Sequence, residues 1–479
     1  MIQSLLPDPD EQAAYFREYR NHLRKSVSIL RHRDPDFEAH NDNFQLSQHE
    51  FALADSLSID RDDTTLALGK TWQHLTWEFY IQELAASLPA NILKWYLAEL
   101  YKRNWSPLRL LDVAAAPGGK SAQLASYLLE HDIPWVVRGN DVDSKRLKSW
   151  ALNIQRSWLY NTVLTKTDGT QFGKLYPELF DAILVDVPCS GEWTWFKSDD
   201  AYKWRKESSI HQIAGLQSQI LESALHACKV GWYVVYSTCT LNPYENEYQI
   251  TELLEKYGDQ IEILPIDIPH KSPGVVVDDN YKSWHEDKML RAWPHIHHTG
   301  GFFVCLIRKT WSTSWYTTPP TNPAPSLYTY NPWLERRLTK LLRKVYGIEL
   351  DLTHYALLEA KHHIHIADRD TLDLIKQWCW FLEAGIPLLK KSWRSYSLEH
   401  TAWLVLGAQA SDNIIDLTSD QLQDYVLGHD ISVEDHQVTA SNTDDRDQTN
   451  KFYFLRYRGL WVWVGKLHQW VIKNKFMKW

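Results

Sequence analysis

Two apolar runs each deliver a cysteine to their carboxyl end, and no other feature constrains the fold as much. Phe180 to Ser190 reads FDAILVDVPCS, and Val234 to Glu247 reads VVYSTCTLNPYENE. Both runs are continuously apolar rather than alternating, as a strand buried on both faces of a parallel sheet requires. Open α/β sheets bind ligands beyond the carboxyl ends of their strands, so Cys189 and Cys239 are expected in one crevice, with Asp186 just ahead of the first thiol. Two thiols and a carboxylate suit nucleophilic addition to an electron-poor ring.

Further strand-like runs, LRLLDVA, WVVRGND, NTVLTKTD, WYVVYST and FFVCLIRK, are spaced widely enough for crossover helices. The pattern predicts a doubly wound α/β domain over residues 66–310. At 479 residues the chain needs more than one domain. Residues 1–65 mix a basic amphipathic helix with polar loop and are read as a small N-terminal α+β, RNA-binding unit. Residues 311–330, rich in Pro, Ser and Thr, are read as a linker, and 331–385 as a helical connecting region containing LERRLTKLLRKVYG and TLDLIKQWCWFLEAG. Residues 386–479 form a β-rich module whose strands are TAWLVLGAQA, KFYFLRYRG and WVWVGKL, with 441–450 as an acidic surface loop.

Composition excludes several classes. No apolar run reaches the roughly 18 residues of a membrane span, and the acidic start MIQSLLPDPDEQ lacks a signal pattern, so a cytoplasmic protein without membrane association is expected. The five cysteines are odd in number and lack a CxxC, so neither a disulfide framework nor a metal site is indicated. A net charge of -9 argues against a general nucleic-acid coat and leaves affinity to local patches. One patch holds Arg17, Arg20, Arg24, Lys25, Arg31 and Arg33, and another Lys466, Lys473, Lys475 and Lys478 among aromatics. Either alone also fits a solvated face.

Leu110 to Ser121, LLDVAAAPGGKS, reads as strand, Gly turn and helix. Gly118 and Gly119 permit close backbone approach to a ligand, and the helix start offers free amides. A phosphate loop also ends in Gly-Lys-Ser, but the Gly it needs five residues before Gly119 is Ala114. Asp141 ends the next run, where a doubly wound fold binds ribose hydroxyls. Asp168 ends the third, placed to accept from an adenine amino group. Strand-end carboxylates also serve as helix caps. Three in register with a Gly turn favour an adenosyl cofactor.

These segments resemble the ordered motifs of the NOL/NOP/Sun RNA cytosine-5 methyltransferases: FYIQELAASLP (79–89), AAAPGGK (114–120), ND (140–141), TDG (167–169), DVPCSGE (186–192), YSTCTLNPYENE (236–247) and RAWPHIHHTGGFF (291–303). The resemblance spans about residues 15–310, and the tail is similar to the bacterial branch that modifies small-subunit ribosomal RNA. It implies a Rossmann-like methyltransferase domain using S-adenosyl-L-methionine, a PUA-like C-terminal module, ribosomal RNA or the small subunit as partner, and a monomer. It makes Cys239 the nucleophile at cytosine C6, Asp186 the carboxylate that hydrogen-bonds the base, Cys189 the thiol that assists proton loss or release, and Lys197 a substrate-site or support residue. It assigns the cofactor to Ala114, Ala115, Ala116, Pro117, Gly118, Gly119, Lys120, Asp141, Arg146, Asp168 and Asp186. The chain departs from the pattern at Trp193 and Trp232, where Gly is common, at Phe196, where Arg is usual, and at Ala85, Ala86 and Ser87. A Gly-to-Trp change can demand a positive φ. Three alternatives stay open: a DNA-type enzyme with Cys189 as nucleophile, a tRNA enzyme, and a non-catalytic RNA-binding or assembly factor.

Overall fold

The computed structural model describes residues 5–20, 25–32, 37, 44–49, 51, 56–60, 67–104, 106–157, 159–191, 207–277, 285–312, 328–369, 372, 382–392, 395–399, 401–440 and 452–474. The chain divides into two compact units, Met1–Asp62 with Tyr80–Trp150 and Leu164–Asn322, and Asp63–Phe79 with Ala151–Val163 and Pro323–Trp479.

The first unit begins with the helix Pro9–Arg20 and a sheet of β1 (Ser26–Ile29), β2 (Gln45–Gln48), β3 (Ser56–Asp60) and β4 (Phe79–Ile81), ordered β2-β3-β1-β4. The described helix runs Pro9–Arg20, and part of the expected polar loop is strand. SVSI and SLSID alternate serine with apolar residues, and the serines are buried too. Ser28 Oγ accepts from Gln123 Nε2 at 3.0 Å and Ser56 Oγ from Asn91 Nδ2 at 3.1 Å. Small hydroxyls thus let a polar-looking strand lie against the helices Leu88–Asn104 and Gly119–Glu130 with its hydrogen bonds satisfied.

The larger sheet contains β5 (Leu108–Asp112), β6 (Trp135–Asn140), β7 (Thr162–Thr165), β8 (Phe180–Asp186), β9 (Cys228–Thr238), β10 (Ile261–Leu264), β11 (Leu290–Ala292) and β12 (Phe302–Lys309). They run in the order β10-β12-β9-β8-β5-β6-β7, with β11 paired to β12. β5 is parallel to β6 and β8, and β8 to β9, while β12 returns antiparallel beside β9. Every apolar run read as a strand of this domain is a strand. The order reverses between β5 and β8, which opens the crevice where such sheets bind ligands.

The second unit has its own core. The helix Pro332–Tyr346 is capped by Asn331, whose side chain accepts from Trp333 N and Leu334 N, and it ends at Gly347 with φ 65°. Residues 331–385 are not the expected run of helices, because Tyr355–Glu359 and His363–Asp368 are antiparallel strands. TAWLVLGAQA is likewise not a strand. Ala402–Leu406 is helical, and a Cβ at Gly407 would lie 2.9 Å from Trp461 Cγ, so the small residue allows a close approach that an apolar count does not foresee. KFYFLRYRG and WVWVGKL do give strands, Phe452–Tyr457 and Leu460–His468. Trp72 and Leu75, read as part of the methyltransferase domain, pack here: Trp72 meets Tyr457 edge-on at 5.3 Å.

Candidate active site

The Gly turn after β5 is shaped by its backbone and pinned at both sides. Gly118 has φ 115° and precedes the helix Gly119–Glu130, and a Cβ at Gly119 would come within 2.7 Å of Tyr80 Cε1. Ala115 N donates to Asn140 O at 2.7 Å. Asn140 Nδ2 donates to Val113 O (2.9 Å) and Thr167 O (2.8 Å), so one amide holds together the ends of three strand-loop segments. Below the turn, Asp112 Oδ2 accepts from Ser121 Oγ at 2.6 Å, and burial pushes this carboxyl up to about 7.

Asp141 is buried, with Oδ1 accepting from Asp143 N at 2.9 Å. Its Oδ2 accepts no hydrogen bond among the described residues, although Arg146 Nη1 stands 3.3 Å away. Arg146 also donates from Nη2 to Ala116 O at 2.7 Å, tying this carboxylate to the turn. A buried acceptor left open beside a Gly turn fits a hydroxyl-bearing ribose. Asp168 differs: it is exposed, and its Oδ1 accepts from Thr170 N (3.0 Å) and Thr170 Oγ1 (2.9 Å) as the cap of a short 3-10 turn. The second carboxylate therefore does the ordinary capping work that strand-end aspartates do.

The two cysteines meet. Cys189 Sγ and Cys239 Sγ are 2.8 Å apart, although 50 residues separate them in sequence. Asp186, at the end of β8, accepts from Ser237 Oγ at 2.9 Å and from Lys120 Nζ at 2.7 Å. Burial would lower the Lys120 ammonium, but the adjoining Asp186 outweighs it and holds the group above its ordinary value. Lys120, expected only as a cofactor-loop residue, therefore joins that loop to the carboxylate beside the thiols. The Cys189 thiol is pushed well above its ordinary value by its hydrogen bond with Cys239, by burial and by the charge of Glu245. Cys239 lies within electrostatic reach of Lys120.

Sequence reading missed the brace behind Cys239. Arg291 and Glu247, both buried, form a two-pronged ion pair with both contacts at 2.6 Å, and Arg291 Nη1 donates to Leu241 O at 2.9 Å. The signal was present in the Arg of RAWPHIHHTGGFF and the last Glu of YENE, but only the fold brings them together. Trp232 needs no positive φ, because the turn is taken by Gly231 (φ 88°), and the indole is buried in β9 with Lys229 Nζ 5.5 Å from its ring. Lys197, Trp193 and Phe196 lie outside the described residues.

The model of the family described as 16S rRNA methyltransferase RsmB/F matches residues 103–308. The ribosomal RNA small subunit methyltransferase F of Shigella boydii is 33% identical over 380 residues, 78% of this chain and 74% of the relative. The protein of the same name from Erwinia tasmaniensis is 30% identical over 437 residues, 90% and 87% of the two chains. Among solved structures, a methyltransferase homolog protein from Pyrococcus horikoshii is 27% identical with TM-score 0.52, covering 62% of this chain and 90% of that one. NSun6 from the same organism, solved with SFG, shares the fold at 19% identity and TM-score 0.51, covering 63% and 95%. With the paired thiols and the Gly turn set on this sheet, and relatives matching along most of its length, the chain belongs to the RsmB/F methyltransferase family.

Proposed function

We propose that this protein methylates cytosine C5 in small-subunit ribosomal RNA, with S-adenosyl-L-methionine as methyl donor. The observation that carries the reading is the thiol pair 2.8 Å apart beside the Lys120–Asp186 ion pair, at the mouth of the sheet. The Gly turn, with the Asp141 carboxylate beside it, suits the adenosyl group, and Ala114, Ala115, Ala116, Pro117, Gly119, Lys120 and Arg146 border it in sequence or contact.

Cys239 Sγ bonds to C6 of a cytosine drawn from its stack, and the C5=C6 pair shifts toward C5 and N3. Asp186, fixed by Ser237 and Lys120, accepts from the N4 amino group, and the Lys120 ammonium paired with it offsets the negative charge that forms toward N3. When bound, the cofactor supplies an electrophilic methyl to C5. The C5 proton then passes to a water molecule in the cleft, C5=C6 re-forms and Cys239 leaves as thiolate, with the Cys189 thiol beside it assisting release. Extrusion of the base costs a few kcal/mol, which favours loops and strained helices as targets.

The N-terminal residues 1–65 and the β-rich residues 386–479 are assigned to RNA binding, the latter as a PUA-like module. A sheet in which Ile414–Asp416 runs parallel to Phe454–Arg456 supports a compact β module there. A monomer in the cytoplasm fits this role, and among the described residues no helix is long and apolar enough to cross a membrane. The test is transfer of a labelled methyl from the cofactor to small-subunit RNA, followed by nucleoside analysis. Label in 5-methylcytosine from the parent and none from Cys239→Ala is expected; label in neither would favour the non-catalytic assembly-factor reading.

A further inference from the structure

The peptide that carries Cys189 is gripped by the segment that carries Cys239. Glu245, fully buried, accepts from Ser190 N at 2.7 Å and from Gln217 Nε2 at 2.9 Å. The same Gln217 amide donates to Pro188 O at 2.8 Å. Pro188 and Ser190 flank Cys189, so these bonds fix the backbone on both sides of the thiol. Glu245 is itself held, because Tyr236 Oη donates to Glu245 O at 2.6 Å. A second link, Ser190 Oγ to Thr240 Oγ1 at 3.2 Å, joins the residue after each cysteine. A carboxylate placed out of water among backbone N–H groups is costly unless it is hydrogen-bonded, and here its Oε2 partners belong to the Cys189 loop and the helix Glu207–Ala227.

We propose that Glu245, with Gln217 as its donor, is a positioning residue that holds Cys189 against Cys239 and thereby governs release of the covalent RNA adduct rather than methyl transfer. The inference deepens the adduct chemistry proposed above and rests on it for the release step. The placement of the two sulfurs does not depend on that chemistry.

Two readouts separate these layers. In the first, the full-length reduced protein is treated with diamide, an azodicarboxamide that takes two electrons and two protons from the thiols, becoming a hydrazine as one S–S bond forms. Cross-linked Cys189 and Cys239 peptides are then counted by mass spectrometry. Glu245→Ala and Gln217→Ala should slow this cross-link roughly ten- to a hundredfold, the scale on which an ångström of misplacement acts. Glu245→Gln, whose amide oxygen accepts the same bonds, should restore most of the rate. In the second, with RNA and cofactor, Glu245→Ala should lower kcat with KM within about twofold and should accumulate protein–RNA adduct on a denaturing gel. Cross-linking at the parental rate in both alanine variants overturns the proposal whatever the turnover, and so does lost turnover with no accumulated adduct. If the parent neither transfers methyl nor forms adduct, the adduct chemistry is what fails, and the cross-linking rates alone decide the positioning role.

Discussion

At the scale of single residues, the open oxygen of Asp141 is the most direct sign of a ligand in this chain. Its Oδ2 is compensated by the Arg146 charge at 3.3 Å but accepts no hydrogen bond among the described residues, which leaves room for a ligand's donor. Asp141→Ala is expected to weaken S-adenosyl-L-methionine binding roughly ten- to a hundredfold, since a hydrogen bond to a charged group is worth about 1.5–3 kcal/mol. Asp168→Ala should do less, because that carboxylate already caps its own turn. Titration calorimetry on both variants checks the order, and equal losses would contradict it. Asp141 and both cysteines were legible because each ends an apolar run, and strand ends are where this topology places ligands. The Lys120–Asp186 pair was not, since it joins residues 66 apart in sequence and follows from the sheet order rather than from any local pattern.

At the scale of elements, the loop that carries Cys239 is held by its own Thr238, Thr240 and Asn246 and from outside by the Arg291–Glu247 pair. Both groups are almost wholly buried, with side-chain exposures of 0% and 2%. Removing one partner strands the other's charge out of water, so Arg291→Met should destabilise the fold by about 3–5 kcal/mol. Adding Glu247→Leu should recover much of that loss, as seen by denaturant unfolding of the single and double variants. No recovery would show that the pair acts through Leu241 and Val275, its other contacts, rather than through its charge. The parallel strands were legible from continuous apolar runs bounded by turns. The serine-bearing strands and the helix Ala402–Leu406 were not, because buried hydroxyls look polar and five apolar residues fit strand or helix equally well.

At the scale of the whole molecule, buried groups of opposite kind give stability that falls with acid and stability that falls with base. In the second unit, burial, with help from Arg156 and His363 respectively, lowers His74 and His365 from 6.5 to about 4. The unfolded chain takes up these protons first, so stability complete above pH 6.5 is lost as pH falls toward 4. In the first unit, the raised Asp112 contributes stability that is full below 3.8 and lost as pH rises through about 7. Thermal unfolding of the His74→Gln/His365→Gln double variant should show a flatter acid limb than the parent; parallel curves would mean that other groups carry the acid response. Because Trp72 and Leu75 pack into the second unit's core, a chain cut after Arg308 should lose solubility as well as RNA affinity, which a sequence division at residues 66–310 did not foresee. Catalysis divides labour between two sulfurs 2.8 Å apart. The measurement that reaches it is a denaturing gel of protein incubated with cofactor and small-subunit RNA. Cys189→Ala should run as a shifted protein–RNA band that cannot resolve, while Cys239→Ala should give neither band nor methyl transfer; a trapped band from Cys239→Ala with an unlinked Cys189→Ala would contradict the account and assign attack to Cys189.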